Sequence, residues 1–171
     1  MVDVLSVGFV PLLIVLLILY QGIRIPREYE RLVVFRLGRY SGIKGPGITI
    51  IIPVIDRAIT MDLRVVTIDV QKQAVITKDN VTVDVDAVLY YRVVDPDRAV
   101  IQVENYRVAT SLLAQTTLRD VLGEIELDDL LSKREELNVK LQEILDRQTD
   151  PWGIKVTAVT LRDVSLPESM L

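Results

Sequence analysis

The sequence predicts an α+β fold, an antiparallel sheet with packed helices, and it places a transmembrane helix in front of that domain. Three observations support this prediction: an uncharged apolar segment at residues 4–20, a long strand pattern at residues 81–94, and several helical segments that separate this strand from a last strand at residues 154–166. Strands followed by a block of helices are typical of α+β domains, whereas α/β domains alternate the two.

The composition removes most enzyme classes. The chain of 171 residues contains neither cysteine nor histidine, so it cannot form a thiolate nucleophile, a disulfide, a Cys/His zinc site or a histidine-based catalytic triad. Its glycines do not follow the spacing of a phosphate-binding loop. We therefore predict no enzyme activity and no catalytic, cofactor-binding or metal-binding residues. The formal charge of −4 also disfavours nucleic acid as a partner.

The N-terminal apolar segment predicts a membrane anchor. Residues 4–20 carry no charge, and 13 of these 17 residues are Leu, Ile, Val or Phe, which favours insertion by about 5 kcal/mol. Extended through Ile23, a helix of this length measures about 30 Å, one hydrocarbon thickness. The alternatives are a re-entrant hairpin broken at Pro11, a buried core helix and a cleaved signal peptide. The anchor candidates are Val10, Leu12, Leu13, Leu16, Leu17 and Tyr20.

Charges after this segment indicate its orientation. No Lys or Arg precedes it, and six follow it between Arg24 and Lys44, so the positive-inside rule places the downstream domain in the cytoplasm. Arg24 and Arg27 are candidates for contact with lipid head groups. The apolar run at residues 48–55 predicts a strand buried on both faces, with a loop dipping into the bilayer as the alternative.

Three further strand patterns precede the helices, in addition to the run at residues 48–55. Residues 32–35 and 66–70 have strand patterns, and residues 81–94 give the clearest one, because apolar side chains from Val81 to Val93 alternate with a largely polar face. In the last strand, the apolar phase slips between Ala158 and Val159, which predicts a β-bulge.

The helices are predicted from their ends. Asp95 and Pro96 begin a short helix, and Asn105 caps a second helix that runs to Leu122. Ser132 and Glu135 have the spacing of a capping box for a third helix, which ends at residues 150–153.

Charge separates along the chain and suggests association between copies. Residues 24–62 carry seven basic and four acidic side chains, whereas residues 95–150 carry seven basic and thirteen acidic ones. Opposite charges on one chain favour head-to-tail contacts, which form rings when they close. The oligomer-contact candidates are Arg36, Arg39, Glu124, Glu126, Glu136 and Glu143.

Several motifs taken together resemble one family. They are Gly45-Pro46-Gly47 with Ile52-Pro53-Val54-Ile55-Asp56-Arg57, the run at residues 75–84, Tyr91-Arg92-Val93-Val94-Asp95-Pro96, Leu118-Arg119-Asp120-Val121-Leu122-Gly123, Pro151-Trp152-Gly153-Ile154-Lys155-Val156, and Leu161-Arg162-Asp163-Val164 with Leu166-Pro167-Glu168. This chain resembles the stomatin, prohibitin and flotillin group, called SPFH or band 7, and within it the stomatin-like branch, the slipins.

The resemblance implies a function and a set of boundaries. It implies a scaffold of the cell membrane, not an enzyme, that forms homo-oligomeric rings or cages, organises membrane microdomains and binds or regulates membrane proteins. The alternative that it implies is a regulatory partner or substrate of a membrane-bound serine protease of the NfeD type. The expected boundaries are residues 1–23 for the membrane segment, 24–166 for the SPFH domain and 167–171 for the start of a further helix. The resemblance also favours a position at the bilayer surface for residues 48–55, with Ile50 and Ile51 as candidates.

Overall fold

The computed structural model describes the backbone of residues 4–166 and the side chains of residues 9–166. The chain forms two compact units, Met1–Leu63 and Arg64–Leu171. The start of a further helix that is predicted at residues 167–171 lies outside the described residues.

The described part of the first unit contains one helix and five strands. They are α1 (Val4–Gln21), β1 (Ile23–Arg24), β2 (Glu30–Arg36), β3 (Arg39–Lys44), β4 (Thr49–Ile50) and β5 (Asp56–Asp62). Two antiparallel sheets form, one from β1 and β4 and one in the order β3-β2-β5. A small core of Leu32, Val34 and Ile51 packs with Ala58.

Helix α1 continues through Pro11 without interruption, so no break occurs at the position where a re-entrant hairpin would turn. No helix within the described residues combines the length and the apolar content that crossing a bilayer requires, so the predicted transmembrane helix is not observed.

The apolar run at residues 48–55 is not the buried strand that its composition predicts. Only Thr49–Ile50 is extended and paired, and the side chains of Ile48, Ile50 and Val54 are exposed. Gly47 and Val54 both have positive φ angles, of 106° and 77°, and these turn the backbone away from a continuous strand. Isoleucine and valine in series therefore form a loop here.

The second unit is a three-stranded antiparallel sheet covered by helices. It contains β6 (Val66–Ile76), β7 (Thr82–Val93), α2 (Pro96–Ile101), α3 (Tyr106–Gly123), α4 (Leu127–Ser132), α5 (Arg134–Thr149), a short 3₁₀ turn (Asp150–Trp152) and β8 (Ile154–Ser165). The strand order is β6-β7-β8. Helix α3 packs along β6, and α5 packs along β8.

Strand β7 confirms the alternating pattern. Val83, Val85, Leu89 and Tyr91 are all buried on one face of the sheet. They form the centre of the core together with apolar residues of the helices and of β8. This alternation means that β7 buries one face under the helix layer, as expected for a central strand with covered and open sides.

Three of the predicted helix ends are confirmed, and the one at Ser132 is wrong. Helix α2 begins at Pro96 after Asp95, although the Asp95 side chain makes no capping hydrogen bond. The Asn105 side chain accepts a hydrogen bond from the Val108 backbone N–H at 3.3 Å and caps α3. Gly153, with a φ of 68°, follows the end of the 3₁₀ turn. Ser132, however, ends α4 and donates to the Asp128 carbonyl at 2.7 Å, while α5 begins after Lys133 without a side-chain cap. The predicted capping box does not form, because the chain has already begun a separate short helix there.

The predicted bulge in the last strand is present one residue earlier. Tyr90 pairs with Ala158 and Tyr91 pairs with Val156, so Thr157 is the extra residue. Its hydroxyl donates to the Tyr90 carbonyl at 3.1 Å. The bulge lets Val156 and Val159 both face the core although they are three residues apart.

Candidate functional site

The apolar side chains of α1 are exposed along the whole part of the helix whose side chains are described. Each large apolar side chain from Phe9 to Tyr20 is between 44% and 74% exposed. All six predicted anchor residues belong to this group: Val10, Leu12, Leu13, Leu16, Leu17 and Tyr20. Since a soluble helix normally buries one apolar stripe, side chains exposed all around a helix indicate a surface made for contact with something else.

The C-terminal end of α1 is hydrogen-bonded to the loop that contains the apolar run at residues 48–55, called the apolar loop below. The Gly22 N–H donates to the carbonyls of Ile18 and Leu19, and the Gly22 carbonyl accepts from the Ile51 N–H at 2.8 Å. A Cβ atom on Gly22 would lie 2.3 Å from the Ile51 oxygen, so only glycine allows this approach. The contact brings the helix end and the loop at residues 48–52 together.

Strands β1 and β4 extend this connection. Ile23 pairs with Ile50, and Arg24 pairs with Thr49. Directly opposed residues of antiparallel strands project from the same face, so the exposed side chains of Ile23 and Ile50 lie together. Ile48 is exposed as well. The apolar surface of α1 thus continues into the loop.

The basic candidates and Ile51 differ in their surroundings. Arg24 is exposed within β1, opposite Thr49 of β4. Arg27 donates to the Tyr29 hydroxyl at 2.6 Å, and its guanidinium carbon lies 6.0 Å from the centre of that ring. Ile51 is buried against Leu32 and Val34. It is therefore not at the surface, contrary to the prediction, because its neighbour Ile50 takes the outward position in the strand.

An ion pair holds the tip of the apolar loop. The Arg36 guanidinium donates to both carboxylate oxygens of Asp56, at 2.7 and 3.1 Å. The same carboxylate accepts from the Ile52 N–H at 3.2 Å, and the Asp56 N–H donates to the Ile52 carbonyl at 2.9 Å. The hydrogen bond from Arg36 lowers the pKa of Asp56 below its ordinary value. The carboxylate thereby closes residues 52–56 into a tight turn.

Two exposed apolar residues at this turn are not among the candidate site residues that the sequence predicts, although Val54 belongs to the run at residues 48–55. Val54 is fully exposed with a φ of 77°, and Leu37 is exposed with a φ of 49°. The Leu37 N–H donates to the Ile55 carbonyl at 2.9 Å, so the two turns are adjacent. Left-handed backbone is unfavourable for such side chains and marks a constrained segment. The only sequence signals are Gly38 after Leu37 and Pro53 before Val54.

The oligomer-contact candidates are distributed over both units. Arg36 is engaged by Asp56, whereas Arg39 is exposed on β3. In the second unit, Glu126 lies 3.9 Å from Lys78. The remaining candidates, Glu124, Glu136 and Glu143, are exposed near the end of α3 and on α5. Within the described residues, these acidic side chains do not converge on one site.

Known proteins are similar in sequence to this chain over most of its length. The SPFH domain / Band 7 family model matches residues 24–171, and the chain belongs to this family. A stomatin homologue of Pyrococcus horikoshii is 57% identical over 159 residues, which are 93% of this chain and 60% of that protein. Stomatin of Mus musculus is 50% identical over 147 residues, 85% of this chain and 52% of that protein. Within the family, the chain is thus a stomatin-like member.

The chain is shorter than these relatives. It spans between 59% and 64% of the length of three archaeal proteins that it matches, from Archaeoglobus fulgidus, Pyrococcus horikoshii and Pyrococcus abyssi.

Proposed function

We propose that this protein is a membrane-anchored scaffold that assembles into rings or cages, organises membrane microdomains and binds membrane protein partners, and that it is not an enzyme. The observation that carries the proposal is the continuous exposed apolar surface formed by α1 and the loop at residues 48–50. In water this surface is unfavourable, at roughly 25 cal/mol for each Å² of apolar area. Lipid removes that cost.

The arrangement of charge supports a particular orientation. Arg24 follows directly on the apolar helix, and Arg39 and Arg57 are exposed in the same unit. Cationic residues on one side of an apolar segment favour the cytoplasmic side and contribute about 1 kcal/mol each near an anionic surface. We propose that α1 inserts into the cell membrane and that the SPFH domain lies in the cytoplasm.

The membrane anchor is tested by one charged substitution and a matched control. Leu16→Arg places a charge in α1 and costs about 3 kcal/mol of insertion free energy, so we expect a roughly hundredfold loss of binding to liposomes in a flotation assay. Leu131→Arg is the control, because Leu131 is a 54% exposed leucine on α4. Equal flotation of Leu16→Arg and the unmodified protein would contradict the anchor.

Assembly between copies is tested through charge. Reversing Arg39 or Glu143 to the opposite sign should lower the mass of the oligomer, measured by light scattering in detergent, and the double reversal should restore part of it. Added salt should also lower the mass. If the mass of the oligomer changes neither with salt nor with either charge reversal, the result would count against head-to-tail contacts.

The alternative function is regulation of a membrane serine protease of the NfeD type, as its partner or substrate. Purification from native membranes separates the two, since a stoichiometric protease partner, or specific cleavage by it, would favour the alternative.

A further inference from the structure

The sheet of the second unit has two edge strands, β6 and β8. Among residues 9–166, helix side chains form hydrogen bonds with the backbone of β8 but leave the first half of β6 without such bonds. Strand β8 is closed by α5. The Asn138 side-chain oxygen accepts from the Leu161 N–H at 3.0 Å. The Gln142 amide donates to the Val156 carbonyl at 2.9 Å, and the Asp146 carboxylate accepts from the Val156 N–H at 3.2 Å. These three side chains are four residues apart, so they form one stripe along the helix.

Strand β6, at the other edge, is open over its first half. Within the described residues, no side chain bonds to the backbone of residues 66–70, and that backbone makes hydrogen bonds only with β7. The open stretch ends where Gln71 and Lys72 form a bulge. Beyond it, the Gln73 side chain bonds to Gln115 and to Arg119, each at 3.0 Å, and holds α3 against the strand. An unpaired edge of this kind can accept another strand.

A groove lies between this open edge and α3. Its volume is about 370 Å³. Val108 and Leu112, one turn apart on α3, line it and are 53% and 57% exposed. The other lining residues are Thr67, Ile68, Asp69, Arg107 and Ser111. The groove therefore combines unpaired backbone on one wall with apolar side chains on the other.

The lining of the groove carries one acidic and one basic side chain, Asp69 and Arg107. Asp69 pairs with Arg162 at 3.3 Å, and Arg162 also lies 3.8 Å from Asp86. Arg107 is exposed and takes part in no ion pair within the described residues. A carboxylate on a bound molecule would complement this guanidinium.

We propose that the groove binds an extended peptide segment of a partner protein, which adds to β6 as a further strand. The segment places alternate apolar side chains against Val108 and Leu112 and a carboxylate beside Arg107. Strand addition of this kind takes its affinity from backbone hydrogen bonds and its specificity from alternate side chains. The open stretch Val66–Val70 has room for a segment of about five residues. The inference rests on the second unit alone, so it stands whether or not α1 enters a bilayer.

The test is a selection of random seven-residue peptides against the full chain in detergent micelles. We expect enrichment of peptides in which apolar residues alternate and an acidic residue occupies the same register. Val108→Lys should weaken the Kd of a selected peptide by about tenfold or more, and Arg107→Ala should weaken it most at low salt. N-methylation of alternate peptide amides should abolish binding, because it removes the strand hydrogen bonds.

The matched control is Val139→Lys, since Val139 is a valine on α5 that is 56% exposed. This variant should bind the peptide as the unmodified protein does. No enrichment, equal weakening by both lysine variants, or a Kd that ignores Val108→Lys would overturn the proposal. If Val108→Lys instead lowers the mass of the oligomer and no peptide is selected, a second copy occupies the groove, and a partner peptide is excluded. Leu16→Arg should leave peptide binding unchanged, which separates this result from that of the membrane test.

Discussion

Strand β7 and helix α1 are both rich in apolar residues, but the structure uses them in opposite ways. Val83, Val85 and Leu89 of β7 are 0% exposed, whereas the apolar side chains of α1 project into the surroundings. The two elements differ in whether polar residues separate their apolar residues along the sequence. Strand β7 alternates apolar and polar side chains and so has one face for a core. The part of α1 with described side chains has no polar face, so its packing partner must surround it. Apolar content alone therefore does not indicate a protein core.

The largest expected effect comes from placing the same charged residue in β7 and in α1. Val85→Asp places a carboxylate in the core of the second unit and should destabilise it by at least about 4 kcal/mol. Val15→Asp, in α1, should leave the stability of the second unit unchanged. Trp152, the single tryptophan, packs against the core of the second unit, so its fluorescence during urea unfolding measures both variants. Normal unfolding of Val85→Asp would mean that the faces of β7 are reversed.

A second substitution tests the connection between α1 and the loop. Gly22→Ala forces a Cβ atom against the Ile51 carbonyl, and we expect a cost of about 1–3 kcal/mol as the loop moves away. Hydrogen exchange of the Ile51 amide, which bonds to Gly22, should accelerate. Gly123→Ala is the control, because a Cβ there meets nothing closer than 3.7 Å. Unchanged exchange at Ile51 would show that loop and helix are independent.

The ion pair at the loop tip predicts a dependence on pH. The hydrogen bond from Arg36 lowers the pKa of Asp56, so the folded loop favours the ionised carboxylate and binds fewer protons than the unfolded chain. Its contribution is present at neutral pH and is lost as pH falls through the lowered pKa, below about pH 4.

Hydrogen exchange of residues 50–58 at pH 6 and pH 3, corrected for intrinsic rates, measures this loss. Asp56→Asn should exchange faster at pH 6 and show little further change at pH 3. A variant that keeps the full pH dependence would assign the effect to another group.

The smallest effect concerns a buried hydroxyl in the second unit. The Tyr91 hydroxyl is buried and makes no hydrogen bond of regular geometry within the described residues. Burial raises the pKa of Tyr91, and the nearby Arg107 side chain opposes this rise. Tyr91→Phe removes an unsatisfied polar group and should stabilise the second unit by up to about 1 kcal/mol. A loss of stability in urea unfolding would show that the hydroxyl has a partner.

The sequence predicts the second unit better than the first, for a physical reason. The period of β7, the cap at Asn105 and the slip near Ala158 are local patterns that burial enforces. The prediction at Ser132 is wrong because a serine followed three residues later by glutamate has the same spacing inside and outside a capping box. In the first unit, residues 48–55 have the composition of a buried strand, and only the backbone angles at Gly47 and Val54 show that they form a loop.

The features that define the proposed sites depend on contacts between distant residues. Gly22 meets Ile51, and Arg36 meets Asp56, through the folding of the first unit. The contrast between the edges of β6 and β8 depends on where α3 and α5 lie. Asn138, Gln142 and Asp146 have a helical spacing that the sequence displays, but their partners on β8 follow only from the structure.

The central claim is that the exposed apolar side chains of α1 lie in lipid. A nitroxide spin label at position 16, with a second protein labelled at position 131 as the reference, tests it in liposomes. We expect label 16 to collide freely with oxygen and to be shielded from a water-soluble nickel complex, and label 131 to show the reverse. Equal access of the nickel complex to both labels would contradict the account.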